Sequence, residues 1–155
     1  MTTRSVNDIN VNRYTDYVTN TNAAVMVNGD TIFTLYGDVQ IMNLFSECVT
    51  PNDATASTLQ YSITPNVGTA TTISGASSTL ASATAGTLVV LDGTALSTAP
   101  IVAPSGVSLS TTARGILAMS GVVKVVIGVG STTGTWKHYI RYKALETGAY
   151  VSNNI

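Results

Sequence analysis

The sequence predicts an all-β domain: an antiparallel β-sandwich or jelly-roll-like barrel with an extended N-terminal arm. Three observations carry the prediction. Thr 25, Val 18 and Ile 10 place β-branched residues at 53 of the 155 positions, and such side chains suit a pleated surface better than a helix. The common surface helix formers are scarce, with Glu 2, Lys 3 and Gln 2, so little is left to coat a helical bundle. Short apolar-alternating runs recur between Gly, Pro and Asn punctuation, and no repeat of fixed period interrupts them.

Taken in order, residues 1–22 are polar and Asn/Thr-rich, with Tyr14, Tyr17 and Val18 as the bulky side chains. They read as an extended arm or a short helix, pinned to a neighbour rather than packed in a core. A single β-rich domain is expected over 23–155. Ala23–Val27 and Thr31–Tyr36 are strand candidates joined by Asn28-Gly29-Asp30, where Asn-Gly supplies the positive φ of a tight hairpin turn. Strand period places Phe33 and Leu35 on one face and Ile32, Thr34 and Tyr36 on the other. Gly37-Asp38 turns the chain into a longer apolar strand, Val39–Val49. Ser57–Thr64 alternates Leu59, Tyr61 and Ile63 against polar neighbours, the pattern of a half-buried strand. Residues 65–86 read as loop with one short strand near Thr71–Ile73. Thr87–Leu91 is a strand, and 94–113, with Pro100 and Pro104, is mostly loop. In the last third, Gly121–Gly130 reads as a buried strand, Ser131–Gly134 as a turn and Thr135–Leu145 as a second strand, together a hairpin. Trp136, His138, Ile140 and Tyr142 fall on one face of it; Lys137, Tyr139, Arg141 and Lys143 fall on the other.

Charge narrows the function classes. Charged residues are 10% and the net charge is −1, against roughly 25% charged in an ordinary domain. No basic excess points to direct nucleic-acid binding. The apolar share, 45%, is too high for a disordered chain. No apolar run reaches membrane-spanning length, since Lys124 breaks Val122–Val129, so no membrane partner is expected. The charge is split. Arg4 and Arg13 face seven carboxylates in residues 1–113, whereas 114–155 hold five cations against Glu146, and 54–113 contain Asp92 alone. A head-to-tail contact between copies could use that split; a few solvated charges on one hairpin is the plainer reading. A chain this weakly charged has little protection against association, so it is expected inside an oligomer or larger assembly. The start, MTTRSVNDINVN, has no apolar segment of a signal peptide, and the lone Cys48 allows no intrachain disulfide. Cytoplasmic synthesis is therefore expected for a chain whose composition looks extracellular.

The chemistry-bearing residues point away from catalysis. A Ser-His-Asp or Cys-His site would need the single histidine, His138, which sits mid-strand between Trp136 and Ile140 and reads as a packed neutral side chain. Cys48, in an apolar strand, reads as a buried inert thiol. No Cys/His cluster suits zinc. Asp8-Ile-Asn-Val-Asn12 opens like a calcium loop but has Arg13 and Thr19 where Gly and Glu belong. Gly128-x-Gly130-x-x-x-Gly134 misses the dinucleotide spacing and leads into a strand. No cofactor is expected. The stripe Lys137, Tyr139, Arg141, Lys143 reads either as the solvent face of an edge or outer strand, where lysine blocks edge pairing, or as a surface for an acidic protein partner; a nucleic-acid strand is the weakest option.

Two segments resemble small virion proteins of tailed bacteriophages. In Asp30-Thr-Ile-Phe-Thr-Leu-Tyr-Gly37-Asp-Val-Gln-Ile-Met-Asn-Leu-Phe-Ser-Glu47, a strand ending in Phe-x-Leu-x-Gly precedes a second apolar strand. Thr133-Gly134-Thr-Trp136-Lys-His-Tyr-Ile-Arg-Tyr142-Lys143-Ala-Leu145-Glu-Thr-Gly148-Ala149-Tyr-Val151 resembles their closing pattern, with Ala144 where proline is usual, and Ala85-Gly86-Thr87 with Asp92-Gly93 also fits. The resemblance implies a capsid decoration (cement) protein on the phage head. It would be a homotrimer bound to the major capsid protein and stabilising contacts between its copies. Such a protein is made in a host cytoplasm and then lives on the capsid surface of a virion. Arg4, Arg13, Tyr14 and Tyr17 of the arm and Lys137, Tyr139, Arg141 and Lys143 of the stripe are the candidate contacts, since Arg and aromatic residues anchor interfaces. The alternative is a carbohydrate-binding or adhesion module, such as a head fibre, and a hydrolase is disfavoured by the lone His138.

Overall fold

Strand after strand alternates buried and half-buried residues, and the buried sets meet between two antiparallel sheets. The computed structural model describes residues 16–92, 95–108 and 115–155; Arg4, Arg13 and Tyr14 lie outside them. The strands are β1 (Asp16–Asn20), β2 (Ala24–Val27), β3 (Thr31–Tyr36), β4 (Val39–Cys48), β5 (Leu59–Pro65), β6 (Thr71–Thr72), β7 (Leu88–Val90), β8 (Ile101–Ala103), β9 (Ile116–Ala118), β10 (Gly121–Ile127), β11 (Ser131–Ala144) and β12 (Tyr150–Asn153). One sheet has seven strands in the order β1-β11-β4-β7-β8, with β2 also on β11 and β9 also on β4; the other runs β12-β3-β10-β5-β6. This is the β-sandwich expected from the sequence.

The core is the space between the sheets. Trp136, Ile140, Leu44 and Ile41 enter it from the larger sheet, and Phe33, Leu35, Tyr61, Val123 and Val125 from the smaller. Each large apolar side chain fully buried contributes about 1.5–3 kcal/mol, which makes this layer the main source of stability. Leu59, Tyr61 and Ile63 are buried as the alternation required, and so are Trp136, His138, Ile140 and Tyr142. Gly29 has φ +90° in the Asn-Gly turn, and Asp30 Oδ2 accepts the Val27 N–H at 2.9 Å to close it.

Several boundaries differ from expectation. Gly121–Gly130 and Thr135–Leu145 do not form a hairpin. β10 pairs with β3 and β5 in one sheet, whereas β11 pairs with β4, β1 and β2 in the other. The turn lies at Gly128–Gly130, with Val129 at φ 74° and Gly130 at φ +90°, and Ser131–Gly134 is already strand. A short Gly-containing link between two strands looks alike in sequence whether it folds a hairpin or crosses between sheets. Ile32 is buried together with Phe33 and Leu35 because the ladder slips there: Val123 opposes Phe33 while Lys124 opposes Thr31. A bulge of this kind turns one extra side chain inward. β8 lies inside the stretch read as mostly loop, held by pairing with β7, and β9 follows it. Asp16–Asn20, assigned to the arm, is β1, paired along β11 from Lys143 to Tyr139.

Candidate binding surface

The site begins with β11, whose odd-numbered residues face outward. Because β11 lies between β4 and the β1/β2 pair, it is central, and its lysines have no edge to protect. Cross-strand register lays side chains in rows over the outer face of the larger sheet. One row runs Asn20, Tyr139, Phe45, Val90, Ile101. Beside it run Lys137, Glu47, Leu88, Ala103 on one flank and Val18, Arg141, Asn43 on the other. All four stripe residues named from the sequence therefore do share one face. Phe45, Leu88, Val90 and Glu47 belong to the same surface and were not singled out, because their contribution depends on strand pairing that no local pattern encodes; Val18, noted only as a bulky residue of the arm, joins them.

Phe45 and Tyr139 stack at 4.7 Å between ring centres with planes 9° apart. Tyr139 Oη donates to Glu47 Oε2 at 2.9 Å; partial burial, then the Glu47 hydrogen bond and charge, raise the phenol above its ordinary pKa. Lys137 Nζ lies 5.3 Å from the centre of the Tyr139 ring. Arg141 Nε donates to Asp16 Oδ2 at 2.8 Å, and Lys143 Nζ stands 3.8 Å from Asp16 Oδ1. Such half-exposed pairs stabilise a fold by about 1 kcal/mol or less; their effect here is to hold long side chains in fixed positions. Between Val18, Phe45, Leu88, Val90 and Tyr139 the face is hollowed by a concavity of about 350 Å³. Tyr17 does not share this face: its ring stacks on Tyr142 at 5.5 Å.

The outer face of the smaller sheet is chemically unlike this one. Its rows read Ser152, Thr34, Val122, Thr64 and Lys124, Ser62, Thr72, mostly hydroxyls, with Val122 and one cation among them. At its end Tyr36 and Tyr150 stack at 4.7 Å, both about half exposed. Trp136, the obvious platform for a sugar ring, is 0% exposed.

The core holds one polar chain. His138 Nδ1 and Ser46 Oγ are 2.7 Å apart, Ser46 Oγ and Tyr61 Oη 2.7 Å, and Tyr61 Oη donates to the Val89 carbonyl at 3.2 Å. Tyr61 has one hydroxyl proton and the carbonyl only accepts. Ser46 therefore donates to Tyr61, and His138 donates from Nδ1 to Ser46. A histidine that donates to a serine cannot take that serine's proton, and both residues are sealed from solvent. Burial lowers the His138 pKa to about 4 and pushes that of Tyr61 up, partly offset by Ser46. Cys48 is likewise buried, its thiol donating to the Thr50 carbonyl at 3.2 Å, and desolvation raises its pKa most. Among the described residues, no three His, Cys, Asp or Glu side chains converge as a metal site would require.

No family model matches the chain, and no curated protein matches it in sequence. Among solved structures, a chain in the structure of infectious bursal disease virus Gx strain aligns with 88% of this chain and 35% of its own length, at 12% identity and a TM-score of 0.25. The chain thus spans about a third of that protein's length, and a likeness this slight carries no argument.

Proposed function

We propose that this chain is a virion structural protein, a decoration protein that seats the outer face of its seven-stranded sheet on the major capsid proteins of a phage head. The observation that supports the reading is the difference between the two outer faces. One combines a stacked aromatic pair with an apolar concavity and ordered charges, the composition of interface centres; the other is mainly hydroxyls suited to water, with the Tyr36–Tyr150 stack at one end. A protein seated across joints between capsid subunits binds only the assembled state, and so stabilises assembly by mass action. The carbohydrate-binding alternative loses Trp136 to the core, which leaves it tyrosine and phenylalanine stacks such as Tyr36–Tyr150.

The test is binding of the purified chain to phage heads assembled from major capsid protein alone. Phe45→Ala with Leu88→Ala is expected to weaken binding tenfold or more, about 1.4 kcal/mol. Ser62→Ala with Thr64→Ala, on the opposite face, is expected to leave it unchanged. Heads that do not bind the wild-type chain, together with retention on a glycan array, would reverse the assignment in favour of the adhesion module.

A further inference from the structure

Two links that carry the chain from one sheet to the other meet at one corner of the sandwich: residues 28–30 between β2 and β3, and residues 128–130 between β10 and β11. Hydrogen bonds clasp this corner. The Asn28 N–H donates to the Gly130 carbonyl at 2.7 Å, the Gly29 N–H to the Val125 carbonyl at 2.9 Å and the Val125 N–H to the Asp30 carbonyl at 3.0 Å. Asn28 Oδ1 accepts the Ile127 N–H at 3.1 Å.

Asn28-Gly29 is also the one Asn-Gly step in the sequence, and this dipeptide carries a chemistry of its own. The Gly29 backbone nitrogen can attack Cγ of the Asn28 side chain. The N–Cγ bond forms, the Cγ–Nδ2 bond breaks, and ammonia leaves with the proton of the Gly29 nitrogen. Water then opens the resulting succinimide to aspartate or isoaspartate. Glycine has no side chain to hinder the attack, and both residues are exposed, so water reaches them. What the clasp withholds is the geometry. The attacking nitrogen has its N–H committed to Val125, and Oδ1, anchored on Ile127, keeps the amide from turning onto that nitrogen.

We propose that Asn28 is a latent deamidation site, kept intact by this clasp and modified only when the corner opens. The change runs one way, because isoaspartate adds a methylene to the backbone and shifts the clasp out of register. Its rate follows the fraction of chains open at the corner, whatever the outer face of the larger sheet binds.

Peptide mass spectrometry of the full chain held at mildly alkaline pH tests it, against a synthetic peptide of residues 25–33. Asn28 in the folded chain is expected to deamidate about tenfold more slowly than in the peptide, or slower still. Gly130 has φ +90° and open space around it, so Gly130→Ala strains the clasp through the backbone alone. That variant is expected to deamidate about fivefold faster than the wild type or more, with unchanged Trp136 emission. Gly148→Ala, with φ +82° and equal space in the link between β11 and β12, is the matched control and is expected to keep the wild-type rate. A folded wild type that deamidates at the rate of the peptide overturns the proposal, and that comparison decides even should Gly130→Ala fail to fold. So does a folded Gly130→Ala chain that keeps the wild-type rate, or a Gly148→Ala chain that speeds up as much.

Discussion

Replacing Trp136 with alanine is expected to destabilise the protein by about 3–5 kcal/mol, the range for deleting a fully buried aromatic side chain. Trp136 is the largest of the fully buried side chains, and its indole N–H donates to Asn52 Oδ1 at 3.2 Å. The same oxygen accepts the Gly134 N–H at 2.9 Å, while Asn52 Nδ2 donates to the Leu80 carbonyl at 3.1 Å. One buried amide thus ties β11 to the loops after β4 and before β7. A Cβ at Gly134 would lie 2.2 Å from the Thr50 carbonyl oxygen, so the strand approaches that loop as closely as glycine alone allows. Trp136→Phe separates packing from hydrogen bonding: it keeps a ring but leaves Asn52 one donor short, for a cost of about 1–3 kcal/mol. Urea unfolding followed by far-ultraviolet circular dichroism gives both values. A Trp136→Ala loss below that of Trp136→Phe would show that this corner is not packed as described.

Stability is expected to fall on acidification from about pH 6.5 to about pH 4, and His138 is the cause. The fold holds its imidazole neutral, with a pKa of about 4 instead of the usual 6.5. Above pH 6.5 neither the folded nor the unfolded chain protonates it, and stability is complete. Between the two values the unfolded chain takes up a proton that the folded chain refuses, so stability declines as pH falls, by roughly 3 kcal/mol in all. No carboxylate stands within ion-pair distance of the ring among the described residues; its neighbours are the Ser46 and Tyr61 hydroxyls. The experiment is urea unfolding read by Trp136 emission at pH 7 and pH 4.5. His138→Gln is expected to be less stable at neutral pH but to lose less between the two pH values than the wild type. Equal losses would mean that the histidine does not carry the effect. Asp53, held below the usual carboxylate range chiefly by the Thr55 N–H, titrates under this window.

Sequence alone reached the sandwich because period-two alternation is written locally. Leu59, Tyr61 and Ile63, or Trp136 through Tyr142, sort to one face whatever lies beside them. It missed what depends on pairing. The link after β10 passes between sheets because β10 fits β3 and β5 while β11 fits β4, a choice made between segments far apart in the chain. β8 has only three residues and no pattern long enough to register, and the bulge that buries Ile32 exists only opposite Lys124. The surface divides in the same way. Lys137, Tyr139, Arg141 and Lys143 were legible as a stripe on one strand. Phe45, Leu88 and Val90, which turn the stripe into a hollowed aromatic face, come from two other strands and join it only when the register is set. Arg4, Arg13 and Tyr14 lie outside the described residues, and Tyr17 stacks within its own chain instead of standing free.

The central claim is that the outer face of the seven-stranded sheet is the seat and the hydroxyl face of the five-stranded sheet is the exterior. Electron cryo-microscopy of heads saturated with the protein measures that orientation directly. The account predicts Phe45, Leu88 and Tyr139 against the capsid lattice, with Thr34, Ser62 and Ser152 toward solvent. Density showing the hydroxyl face on the capsid, or heads that carry no added density at all, would contradict it.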